Sequence, residues 1–175
     1  MLSPFLPASR ATGCPASPPA SAWRTDVPPP EGLACSLTVP GEPYSGRIAR
    51  STVTAALRAH RLDRFVPVAE QVTGEMVAAA CHLNPGQELY LSARYRDDAL
   101  RLIVYDGHAS HESPRLAALC EARRRSALRL LAVIVRECGG AWGFGDSREP
   151  GGGTRTWVTL PRKGAHAYWT PQRPA

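Results

Sequence analysis

Lysine is nearly absent: Lys163 is the one lysine among 21 basic residues, so the net charge of +6 belongs to arginine. Such a bias is better explained by GC-rich coding than by selection for nucleic acid. A nucleic-acid binder concentrates its charge in a stripe interleaved with aromatics or glycines. Here only residues 123–125, extended by Arg129, form a cluster, and a solvated helix face explains it. A basic, nonspecific nucleic-acid-binding module would therefore rest on charge alone. The five cysteines (Cys14, Cys35, Cys81, Cys120, Cys138) include no CxxC pair, which suits reduced, mostly buried thiols and argues against a disulfide framework. No apolar run approaches the roughly 18–20 residues that a membrane-spanning helix needs. The first residues lack a basic start followed by an apolar core, which excludes a secretory signal and leaves the cytoplasm as the default compartment. Glycine is missing from residue 108 to residue 138. That gap bears on the phosphate chemistry discussed below.

What is present divides into three parts. Residues 1–32 hold PASPPA and VPPPEG, and eight of the 17 prolines fall in the first 30 positions, which excludes a packed helix or a central strand there. This reads as a disordered leader. Residues 33–162 read as one domain, and the 43% hydrophobic content is enough for a core. Residues 163–175 read as a short loose tail.

Within the domain, residues 34–39 (ACSLTV) form a strand, and residues 47–60 follow with helical periodicity. The stretch 66–83 is a second helix, ended by Asn84-Pro85-Gly86. Residues 88–95 and 99–105 are two strands joined through Arg96-Asp97-Asp98, a spacing that predicts an antiparallel hairpin. Ser113-Pro114 opens a helix that runs to Cys138, as one piece or as two with a break near residues 121–125. Residues 141–146 and 154–160 close the chain as a hairpin in which Trp142 and Trp157 are expected to be cross-strand neighbours. The order β-α-α-β-β-α-β-β predicts an α/β two-layer sandwich, a mixed and mostly antiparallel sheet with helices on one face.

Three weak constellations could carry chemistry. Glu75 lies on a helix of apolar and small residues, with Ala79 and His82 turned roughly the same way; pairing with an arginine is its bland reading. Asp106-Gly107 follows a buried strand directly, where an aspartate can accept a hydrogen bond from a ligand or begin an Asx-turn. Gly151-Gly152-Gly153 precedes Thr154 at the start of the last strand, allowing close backbone approach or simply a hairpin loop. Besides these, His108 and His111 make an HxxH pair. A metal would need a further ligand, for which Cys120 is conceivable, and solvated loop histidines are the plainer reading. No metal set is assigned from the sequence.

Taken in order, the acidic helix, the strand–strand–Asp-Gly unit, the long helix and the glycines before a strand resemble the GHKL ATPase superfamily (histidine kinase-like ATPase domain). The resemblance spans residues 35–162 and is closest to the small bacterial anti-sigma-factor serine kinases and their actinobacterial relatives. In VTGEMVAAACHL it implies Glu75 as the catalytic carboxylate and puts Ala79 where the family carries its Mg²⁺-binding asparagine. In VYDGHAS it implies Asp106 and Gly107 as nucleotide-binding, the aspartate reading the adenine amino group with Thr154 in support. ALRLLAVIVRECGGAWG resembles the helix after the family's phosphate-binding glycines. That glycine segment is RRRSA here, so Arg125 and Ser126 occupy the phosphate-binding place, with arginines as point charges, and the helix is expected to run on through it.

The resemblance implies ATP and Mg²⁺ as cofactors, yet Ala79 has no atom to hold the metal. The expectation is a regulatory protein with an impaired or lost nucleotide site, acting by contact with a sigma factor or an anti-sigma antagonist. The alternative is an active ATP-dependent protein serine kinase in which Glu75 activates the acceptor hydroxyl. A homodimer is compatible with both.

Overall fold

A computed structural model describes residues 27–147 and 152–169. Of the leader, positions 1–26 lie outside the described residues; 27–32 run into a 3-10 turn at Pro30–Gly32, where a ring nitrogen of His60 sits 2.7 Å from the Pro29 carbonyl. The elements that follow are β1 (Ala34–Pro40), α1 (Ser45–Ala59), α2 (Val66–Leu83), β2 (Glu88–Arg96), β3 (Ala99–Asp106), α3 (Pro114–Ala127), α4 (Arg129–Glu137), β4 (Ala141–Asp146), β5 (Thr154–Pro161) and α5 (Arg162–Trp169).

The five strands form one sheet in the order β1-β2-β3-β5-β4, and all four pairings are antiparallel. The expected α/β two-layer sandwich is therefore present, and the sheet is antiparallel throughout rather than mixed. Alternation decides which face is covered. Leu89, Leu91, Ala93 and Tyr95 of β2, with Leu100, Leu102 and Val104 of β3, are buried beneath helices, while Tyr90, Arg94, Arg96 and Arg101 are exposed. Helix α1 buries Ala49, Val53 and Leu57 at four-residue spacing. Helix α2 touches α1, α4, α5 and β3 and buries residues nearly all round, from Val68 to Ala80, which makes it the centre of the helical layer. Thr54 Oγ1 of α1 donates to Glu70 Oε1 of α2 at 2.8 Å. No helix among the described residues is long and apolar enough to cross a membrane. Cys35, Cys81, Cys120 and Cys138 are free thiols. Burial pushes Cys35, Cys81 and Cys138 above the ordinary thiol range.

The β2–β3 hairpin turns on Asp97 and Asp98 alone, with Arg96 paired to Ala99. Both aspartates have positive φ (52° and 55°), the geometry that lets a two-residue turn match the twist of its strands. Asp98 also accepts a hydrogen bond from buried Tyr95 Oη at 2.6 Å, and Arg162 Nε donates to the same phenolic oxygen at 2.8 Å. Burial first, and the bond to Asp98 second, push the Tyr95 hydroxyl above its ordinary value. Tyr95→Phe keeps the ring against Phe65 and removes both bonds, so urea unfolding should register a loss of about 1–2 kcal/mol. A neutral substitution would mean that solvent replaces them.

Three further expectations are corrected. The long helix breaks at Leu128, not near residues 121–125: Leu128 is fully buried and its N–H reaches back to the Arg124 carbonyl, closing α3 so that α4 can start in a new direction. Trp142 is opposite Val158 and Trp157 opposite Gly143, so the two indoles are one residue out of register and on opposite faces of the sheet. The supposed tail begins with α5, in which Ala165 is fully buried and Tyr168 Oη donates to Gln71 Oε1 of α2. Residues 170–175 lie outside the described residues.

Candidate functional site

A cavity of about 320 Å³ opens between the loop after β3, helix α3 and the paired ends of β4 and β5. Behind its lining residue Arg124 lies Asp106, the last residue of β3. That side chain is wholly shielded from solvent and forms an ion pair with Arg124 of α3: Nη1 donates to Oδ2 at 2.7 Å and Nη2 to Oδ1 at 3.3 Å. Oδ1 also accepts the His108 backbone N–H at 3.1 Å. Of the two roles open to this aspartate, the Asx-turn is therefore realised, and the carboxylate is further engaged by a guanidinium. Arg124 is itself buried and packs 5.9 Å from the centroid of Phe144.

The two strand ends hold this arrangement in place. Thr154 is in register with Asp106, but its hydroxyl donates to the His108 carbonyl at 3.0 Å, so it supports the loop rather than the carboxylate. Asn84, at the C-terminus of α2, approaches from the other side. With its amide oxygen facing the loop, it accepts from the N–H groups of Gly107 (3.2 Å) and His108 (3.3 Å). The start of the 107–113 loop is thereby fixed on three sides.

The remaining sequence candidates fall in different places. Arg125 lines the cavity, packs 5.2 Å from the Phe144 centroid and donates twice to Glu121 Oε1, at 3.0 and 2.7 Å. Ser126 is exposed one residue further along α3 and does not line it. The helix runs through the glycine-free segment as expected, so most of its N–H groups are spent on the helix itself. Glu75 is half-buried on α2 and makes no hydrogen bond or ion pair with a described residue; Ala79 is buried. Neither lines this cavity. His82 lies 3.4 Å from Arg123 Nη2, which brings α3 against the C-terminal end of α2.

Sequence reasoning missed Arg124, Asn84 and Phe144. For Arg124 a signal existed. Three consecutive arginines on a helix advance about 100° per residue, so the run spans some 200° and cannot all lie on one solvated face. The cavity wall also collects a set that the sequence only suggested: His108 Nε2 lies 3.3 Å from His111 Nε2, which lies 2.9 Å from Cys120 Sγ.

Chemically, the pocket is a fixed loop facing a helix, lined by polar side chains with Ala109, Ala117 and Phe144 among them, and the neutralised Asp106 carboxylate lies behind Arg124. Compared with known proteins, the chain matches no family model and no curated protein.

Proposed function

We propose that this chain is a regulatory protein of the anti-sigma-factor serine-kinase type, built on a GHKL-like domain, whose nucleotide site has been given over to an internal ion pair. It acts by contact with a sigma factor or an anti-sigma antagonist, which places its work in the cytoplasm. The observation that carries the reading is the Asp106–Arg124 pair. The carboxylate that would read an adenine amino group takes three N–H donors from the protein and has no solvent-accessible surface.

Two further features support it. The segment that would wrap phosphates with free backbone N–H groups is a helix whose N–H groups are mostly paired. The position that would hold Mg²⁺ is Ala79, which offers no ligand atom and is buried. Action through protein contact is consistent with Leu116, Leu119, Leu130 and Val133, four large apolar side chains on α3 and α4 that are each about half exposed.

Isothermal titration of the full chain with ATP, with and without Mg²⁺, tests the reading. The expected result is no saturable heat below millimolar nucleotide under either condition. Micromolar, metal-dependent binding would overturn it and favour the serine-kinase alternative, for which Glu75 would be the base.

A further inference from the structure

We propose that His108, His111 and Cys120 form a binding site for a zinc-class divalent transition metal ion. The three candidate donor atoms all lie within 4.8 Å of one another. In a tetrahedral zinc site, with Zn–N near 2.05 Å and Zn–S near 2.3 Å, two nitrogens sit about 3.3 Å apart and nitrogen and sulfur about 3.6 Å apart. The two imidazole nitrogens are already at 3.3 Å, Sγ at 2.9 Å from His111 would withdraw by a fraction of an ångström, and the third separation, between His108 and Sγ, is within 4.8 Å. The rings are inclined at 75° with 5.2 Å between centroids, and the 3.3 Å between their Nε2 atoms shows that a nitrogen of each is turned toward the other.

Hydrogen bonding alone serves this trio poorly. His111 Nε2 faces both His108 Nε2 and the thiol, and it can act as donor or acceptor but not both. A cation satisfies all three atoms together. The ligands are also held by separate structures: His108 by the bonds to Asp106 and Thr154 at its backbone, and Cys120 by α3. Two imidazoles and a thiolate select zinc-like ions over Mg²⁺ or Ca²⁺, which take oxygen ligands.

Charge does not oppose the ion. The guanidiniums of Arg124 and Arg125 are each paired with a carboxylate, Asp106 and Glu121. On binding, the Cys120 thiol releases its proton to solvent and coordinates as thiolate, while the imidazoles coordinate as neutral bases. Three protein ligands leave a fourth position facing the cavity, open to water or to an exogenous group. The bound ion ties the 107–113 loop to α3. This site is independent of the regulatory reading, since it requires neither a sigma-factor partner nor the loss of ATP binding.

The test is cobalt titration of the chelator-treated full chain. One equivalent should bind with tetrahedral visible bands and a thiolate-to-cobalt charge-transfer band, and Zn²⁺ should displace it. Cys120→Ser should abolish the charge-transfer band, and His108→Gln with His111→Gln should weaken binding at least tenfold, both with far-ultraviolet dichroism unchanged. X-ray absorption of the zinc-loaded wild type needs no variant, and should give one sulfur at about 2.3 Å with nitrogen neighbours at about 2.0–2.1 Å. A shell with no sulfur or with two overturns the proposal, as does full-strength binding by the double histidine variant.

Discussion

Arg124→Ala is expected to destabilise the protein by about 3–5 kcal/mol, because it strands the Asp106 carboxylate inside the fold. The Asp106 side chain has no exposed surface and that of Arg124 only 6%. With the guanidinium gone, the His108 N–H is the only donor to Asp106 that remains among the described residues, and none of them supplies a cation in its place. Phe144 also loses a cationic neighbour. A domain of this size has a total stability on the order of 5–15 kcal/mol, so the loss is a large share of it. Urea denaturation followed by circular dichroism measures it directly. Arg123→Ala and Arg125→Ala are the controls: both side chains are exposed, and each should cost less than about 1 kcal/mol. Replacing both partners, Asp106→Leu with Arg124→Met, should recover much of the loss, since an apolar pair leaves no buried charge unmatched. Equal losses for Arg123, Arg124 and Arg125 would show that solvent reaches Asp106.

The contrast among these arginines also shows how far the sequence could be read. Alternation at residues 88–95 and 99–105 carried the central hairpin because a strand with one covered face leaves a period of two. The helix through RRRSA was legible because nothing in it interrupts one. Helix α5 was not. It packs through Gly164, Ala165 and a tyrosine hydroxyl rather than through an apolar stripe, and a short run of small and polar residues has no period to detect. The break at Leu128 was misplaced for a related reason: the kink follows from a leucine turning into the core, whereas the polar run at residues 121–125 only suggested one. Glu75 stood out as the acid of an apolar helix, with Ala79 and His82 on its side, but spacing gives a direction on the helix and not what lies opposite, and Glu75 does not line the cavity. Asp106, Gly107 and Thr154 were singled out by their places at strand ends and by the resemblance, and the antiparallel pairing of β3 with β5 puts Asp106 and Thr154 in register. Arg124 and Cys120 reach the same cavity along a helix whose angle to the sheet no local pattern encodes.

A second large effect is expected at Gly153, where the glycine run enters β5. Its φ is +90°, a conformation that costs an L side chain on the order of 1–2 kcal/mol. A Cβ built there would lie 2.3 Å from the Asp106 carbonyl oxygen and 3.3 Å from its carbon. These are backbone atoms, so no rotamer change can relieve the contact. The strand ends would have to part, disturbing the register of Asp106 with Thr154 and the Thr154 bond to the His108 carbonyl. Overpacking of this kind adds about 1–3 kcal/mol, so Gly153→Ala should cost about 2–5 kcal/mol in all. Gly152 separates the two contributions. It also has positive φ, at 71°, but a Cβ there meets nothing within 4 Å, and Gly152→Ala should therefore show the conformational cost alone. If the two variants melt together, the Asp106 carbonyl yields freely and the loop is not held as tightly as its three supports imply. If Gly153→Ala is the more damaging by the expected margin, the close approach of two backbones is what sets the position of Asp106, and through it the position of Arg124 and His108.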